Sequence, residues 1–195
     1  MDSPQPPDFS AFLGAIAVAL RERDLPFMLI GGQAVLLHGQ PRLTEDIDIT
    51  LGVDPTSLGT VLDVCSTLEL DPIPEDIEGF VAETFVLPAL HEESGIRVDF
   101  IFSTTPYEQE AIARSEYHEL VGVPVPFATA EDLIIHKLFA GRARDWEDAV
   151  SVVRRKGEGL DWELIMRWAI EFAEIPGREE MPAQVDRLRQ EVLST

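Results

Sequence analysis

From Phe9 to Arg23 apolar residues recur three and four positions apart and the run closes on a charged turn, which predicts a helix with one buried stripe. Leu25 to Ile30 then reads as a short buried strand, broken by Gly31-Gly32, and Gln33 to His38 reads as a helix that stops at Gly39. After a loop at Pro41 to Glu45, acidic and β-branched residues alternate from Asp46 to Leu51, the mark of a strand with one polar and one apolar face. Pro55 to Leu68 returns to helical spacing. The acidic, proline-bearing stretch Asp71 to Glu78 predicts an exposed loop, and Ala82 to Leu87 and Ile96 to Phe102 predict strands.

Further on, Tyr107 to Arg114 predicts a short helix and Glu119 to Phe127 a β excursion centred on Gly122. Thr129 with Asp132 three places on has the form of a capping box, opening a helix over Ala130 to Ala140 that Gly141 closes. A second such signal sits at Asp145 and Asp148. From there the pattern is helical: Trp146 to Arg155, Trp162 to Ala173 and Glu179 to Leu193, where the tryptophans pack the tail. The first eight residues, with three prolines, form a loose lead-in. The expected organisation is a lead-in over 1–8, a mixed-sheet α/β (α+β) domain over 9–128, and a helical extension over 129–195.

Charge narrows the partners. With 36 acidic against 15 basic side chains the formal charge is -21, which repels polyanions such as duplex DNA and anionic lipid, so phosphate must be met by local cations, backbone amides or metal. The apolar run Ala11 to Leu20 is too short to cross a bilayer and follows no basic segment, so the expectation is a cytoplasmic chain with no membrane role. Cys65 stands alone, which leaves no internal disulfide and argues against a cysteine zinc site; it reads as a small core residue. His38 and His136 read as ordinary polar or core histidines.

The candidate chemistry lies on two strands. Asp46 and Asp48, two positions apart, project from one strand face roughly 6 to 7 Å apart, while Ile47 and Ile49 face the core. Asp99, between Val98 and Phe100, repeats the device on a later strand. Carboxylates in such apolar surroundings need a cation, and hard oxygen ligands suit Mg2+ or Mn2+, of which a pair can grip both oxygens of a phosphoryl or nucleotidyl transfer. The bland alternative pairs each aspartate with a nearby arginine or a turn. Gly31 and Gly32, between a strand and a helix, leave backbone amides for phosphate, although a glycine pair there is also simply a tight turn. Arg42 and Thr44 are placed to brace a phosphate, or Arg42 to pair with Glu45.

Written out, Gly31-Gly32-Gln33-Ala34 followed by Arg42-Leu43-Thr44-Glu45-Asp46-Ile47-Asp48-Ile49 resembles the DNA polymerase beta-like nucleotidyltransferase superfamily. That superfamily places a Gly-Gly or Gly-Ser turn before a D-x-D strand and adds a third carboxylate from a later strand, the place of Asp99. The resemblance implies a mixed-sheet nucleotidyltransferase palm flanked by helices, two metal ions bound by Asp46, Asp48 and Asp99, and attack of an acceptor oxygen on the α-phosphate of a nucleoside triphosphate (NTP) with pyrophosphate leaving. It covers Leu25 to Phe102. Glu131 to Leu138 with Arg144-Asp145-Trp146-Glu147-Asp148 resembles the helical extension of abortive-infection-toxin and small stand-alone bacterial nucleotidyltransferases. By that likeness Lys137 contacts the triphosphate, with Asp145 nearby; the residues alone equally allow a solvated Lys137 and a plain capping box.

The expected function is transfer of a nucleoside monophosphate to a hydroxyl or phosphate, with ATP among the candidate donors. Asp99 is the natural group to ease deprotonation of the acceptor. A charge of -21 favours a small or cationic acceptor such as an aminoglycoside over a tRNA end; a protein acceptor, a homodimer and a toxin-antitoxin partner stay open. The competing class is a catalytically silent nucleotide sensor or toxin-antitoxin partner with the same fold.

Overall fold

The computed structural model describes residues 9–41 and 46–193. They form two compact units, one of residues 9–29 and 46–127, the other of residues 30–41 and 128–193. The second unit thus takes in residues 30–41, which the sequence pattern alone grouped with the sheet.

The first unit holds a seven-stranded sheet. Its strands are β1 (Phe27–Leu29), β2 (Asp46–Leu51), β3 (Asp71–Pro72), β4 (Val86–His91), β5 (Ile96–Phe102), β6 (Glu116–Leu120) and β7 (Val123–Phe127), in the spatial order β3-β4-β5-β2-β1-β7-β6. The sheet is mixed: β2 runs parallel to β5 and β1 to β7, while the other neighbours are antiparallel. Alternation along β5 puts Ile96, Val98, Phe100 and Phe102 in the core, as it does Ile47, Ile49 and Leu51 along β2. Helix α1 (Phe9–Arg21) packs against β6, β7 and α3 (Leu58–Thr67), burying Ile16, Ala17 and Leu20 against the apolar side of the unit.

Two expectations in this unit, the loop as far as Glu78 and the strand from Ala82, are corrected. Residues 77–84 are helix α4 (Ile77–Thr84) rather than the end of a loop and the start of a strand, and β4 begins only at Val86. The reason is local: the Asp76 carboxylate accepts the Gly79 amide at 3.0 Å and opens the helix, and Phe85 at φ 59° ends it in the left-handed region before the chain extends. The excursion about Gly122 is a hairpin of β6 and β7, whose turn residues Val121 and Gly122 both have positive φ (49° and 78°), the geometry that suits the strand twist. Alpha helix α5 (Pro106–Ala113) follows a Thr105 cap.

The second unit is helical: α2 (Gly31–His38), α6 (Ala130–Ala140), α7 (Ala143–Lys156), α8 (Trp162–Ala173) and α9 (Met181–Leu193). Helix α6 packs on α2, α7 and α8, and α9 on α7 and α8. Ala34, Val35, Leu133, Ile134, Ile135, Val152, Val153, Ile165 and Leu188 fill the interior. The Thr129 hydroxyl accepts the Asp132 amide at 3.1 Å and donates to its carboxylate at 2.8 Å, so the expected Thr129 cap opens α6, and Gly141 at φ 71° closes it. The buried His38 donates from Nε2 to the Ala128 carbonyl at 2.8 Å, a structural role. No helix of the described residues is long and apolar enough to cross a membrane.

Candidate active site

In the first unit, the parallel register of β2 and β5 sets Asp48 directly beside Asp99 and Asp46 beside Arg97. Neighbouring strands lie about 4.8 Å apart, and residues two apart on a strand share a face. The three carboxylates therefore occupy one side of the sheet, on the two strands whose other side is the core. Asp46 is exposed, and Asp48 and Asp99 are half-buried. Fixed β-branched and aromatic neighbours, Ile47, Ile49, Val98 and Phe100, leave their backbones little freedom.

The same register brings a cation that the sequence reading passed over. Arg97 donates from Nε to Asp99 Oδ1 at 2.8 Å, with 47% of the arginine side chain and 20% of the aspartate exposed. The hydrogen bond to Asp99, and the charges of Asp99, Asp46 and Asp48, hold the guanidinium above its ordinary pKa. All three carboxylates thus act on one cation. Alternation in Ile96-Arg97-Val98-Asp99 was the available signal, since it puts Arg97 and Asp99 on one face. Among the described residues, no three His, Cys, Asp or Glu side chains stand close enough together to hold a metal ion as they are placed. What β2 and β5 supply is three carboxylates sharing a face, with Asp99 engaged by Arg97.

In the second unit, Lys137 is buried rather than solvated. Its ammonium donates to Asp145 Oδ1 at 3.0 Å and lies 2.8 Å from Asp148 Oδ2, with 8%, 2% and 6% of the three side chains exposed. The Gly141 turn folds α7 back along α6, and Asp145 and Asp148, three apart, share the α7 face that meets the lysine. Asp145 also accepts from the Arg142 amide at 3.2 Å and from Arg142 Nε at 2.7 Å. Burial pushes the Asp145 carboxyl up, but the bonds from Arg142 and Lys137 and their charges outweigh it and leave the pKa below its ordinary 3.8. The expected capping box at Asp145 and Asp148 is corrected: α7 starts at Ala143, with Arg142 as its cap and Asp145 three places on, so Asp148 lies inside the helix.

Gly31 and Gly32 form the first turn of α2 rather than a turn ahead of it; Gly31 has φ 59°, and Ile30 caps the helix without a side-chain bond. The opening amides of a helix have no acceptor within it, so the phosphate-facing expectation keeps its backbone donors. Arg42 and Thr44, with Glu45, lie outside the described residues.

A family model described as nucleotidyl transferase AbiEii toxin, Type IV TA system, matches residues 15–192. The chain belongs to that family. This AbiEii-family chain is accordingly a nucleotidyltransferase, an enzyme that transfers nucleoside monophosphate, which decides against the catalytically silent alternative. No curated protein matches its sequence. Among solved structures, the solution structure of the antibiotic-resistance factor ANT(2'')-Ia is similar at TM-score 0.57 and 18% identity, over 88% of this chain and 96% of that one. An antigenic nucleotidyltransferase-like protein from Paracoccidioides brasiliensis is similar at 0.54 and 14%, over 95% and 96%. The lincosamide antibiotic adenylyltransferase LnuA, lincomycin-bound, is similar at 0.51 and 17%, over 73% and 94%. These likenesses concern the fold: a mixed sheet flanked by helices, with a helical extension.

Proposed function

We propose that this AbiEii-family enzyme moves a nucleoside monophosphate from an NTP to a hydroxyl or phosphate of a small, cationic acceptor, using Mg2+ or Mn2+ held by Asp46, Asp48 and Asp99. The observation that carries the reading is the β2–β5 register, which sets Asp48 beside Asp99 and keeps Asp46 on the same face. The donor chemistry fits: carboxylate oxygens are the ligands such hard cations take. Divalent ions at such a site polarise phosphate oxygens and offset charge that builds up as pyrophosphate leaves.

The chain's own residues divide the remaining work. Asp99, once released from Arg97, eases loss of the acceptor's proton as its oxygen bonds to the α-phosphorus and the bond to pyrophosphate breaks. The first amides of α2, at Gly31 and Gly32, suit phosphate oxygens, while Lys137, held by Asp145 and Asp148, braces α6 against α7 rather than contacting the triphosphate.

The preference for a small cation rests on charge. The formal charge is -21, and the cations of α7 are split between its ends: Arg144 stands ten residues, about 15 Å by helix rise, from Arg154. Arg142 is already engaged by Asp145, and Arg155 donates to the Gly39 carbonyl at 2.9 Å. A phosphate backbone needs several cations on one track. The fold neighbours associated with antibiotics, ANT(2'')-Ia and LnuA, suggest the acceptors to try first, aminoglycosides and lincosamides.

The test offers all four NTPs, labelled on the α-phosphate, with Mg2+ or Mn2+ and a panel of aminoglycosides, lincosamides, tRNA and protein. The expected result is label on a cationic small molecule, lost in Asp48→Ala. Label on tRNA alone overturns the acceptor class, and transfer undiminished in Asp48→Ala overturns the assignment of the site.

A further inference from the structure

Arg97 stands where a metal-binding carboxylate face would have no use for a fixed cation. It lies beside Asp46 in the β2–β5 register and grips Asp99, itself beside Asp48, through one bond of 2.8 Å. Nearly half of its side chain is exposed, and Asp99 is the less exposed partner. An exposed pair of this kind adds little to stability, because water competes for both groups. It is therefore cheap to open. A guanidinium also cannot lose its charge at any pH the protein meets, so it leaves the face only by moving.

We propose that Arg97 is a resident counter-cation that offsets part of the charge of the Asp46, Asp48 and Asp99 face in the free enzyme and must swing off Asp99 before a divalent ion can load. This deepens the metal reading given above and rests on it. Two consequences follow. The arginine lessens the mutual repulsion of three like charges in the free protein, and it competes with the ion for Asp99, which raises the ion concentration needed for loading. Arg97 acts through Asp99, so it is a positioning residue that sets metal affinity rather than a catalytic one. The charges of all three carboxylates act on the guanidinium, as competition for one charged face requires.

The experiment is a titration of the full chain with Mn2+ in the absence of nucleotide, followed by the electron paramagnetic resonance signal of the free ion. Wild type, Arg97→Gln, Arg97→Lys and Asp48→Ala are compared. Removing a full charge beside the ligands is expected to tighten Mn2+ binding about three- to ten-fold in Arg97→Gln. Arg97→Lys, which keeps the charge, is expected to stay near wild type, an outcome that loss of a packing role would not give. Equal or weaker binding in Arg97→Gln overturns the inference while leaving the metal site intact. Mn2+ binding that is unaffected by Asp48→Ala, or absent from both wild type and Arg97→Gln, overturns the metal reading and this inference with it.

Discussion

The two charged clusters of this enzyme use the same chemistry in opposite settings. On the sheet, Asp99 and Arg97 meet at 2.8 Å with the arginine 47% exposed; between α6 and α7, Lys137 meets Asp145 and Asp148 at similar distances with no side chain more than 8% exposed. Water decides the difference. An exposed pair contributes about 0 to 1 kcal/mol and exchanges partners readily, whereas removing one partner of a buried pair strands a charge and costs about 3 to 5 kcal/mol. The sheet cluster is built to exchange its cation; the helical cluster is built to keep its own.

The largest expected effect falls on the buried cluster. Lys137→Met removes the buried cation that Asp145 and Asp148 share and is expected to lower unfolding free energy by about 3 kcal/mol in urea melts, against less than about 1 kcal/mol for Arg97→Gln. Equal losses would erase the contrast. Next comes the sheet face: Asp48→Ala is expected to cut transfer at least about a hundredfold, as removing a preorganised electrostatic group does, while its urea midpoint barely moves.

A smaller effect concerns acid. The native Asp145 pKa lies below 3.8 because the bonds from Arg142 and Lys137 overcome burial. A carboxyl with a lowered native pKa contributes stability that is complete above its unfolded value and is lost as pH falls through the native one. The stability gap between wild type and Asp145→Asn is therefore expected to hold at neutral pH and to narrow below pH 3.8; a gap unchanged into acid would contradict the pairing. The least conspicuous effect is at Cys65, buried in α3 with its thiol pushed up to about 12 by burial. Thiol reagents at pH 8 are expected to label it only after unfolding, and rapid labelling of the native protein would show an open core.

Strands β2 and β5 were legible because alternation of charge with β-branched or aromatic residues admits no other period, and α6 because Thr129, Asp132 and Gly141 mark both its ends. Helix α4 was not, since the residues that start and stop it, Asp76 and Phe85, act through a cap and a left-handed backbone rather than through hydrophobic spacing. The three carboxylates could be named from their strands, but not their alignment: register between β2 and β5 is a tertiary fact, and it sets Arg97, already on the Asp99 face by alternation, beside Asp46. Likewise Lys137 and Asp145 could be singled out, while the partnership with Asp148 depends on how α7 folds back on α6.

The central claim is that Asp46, Asp48 and Asp99 jointly hold divalent metal. A crystal structure grown with Mn2+ and a non-hydrolysable NTP analogue tests it most directly through the anomalous signal of manganese. The account predicts manganese bound by all three carboxylates, with Arg97 off Asp99. Manganese bound elsewhere, or Arg97 still seated on Asp99 with no ion beside Asp48, would contradict it.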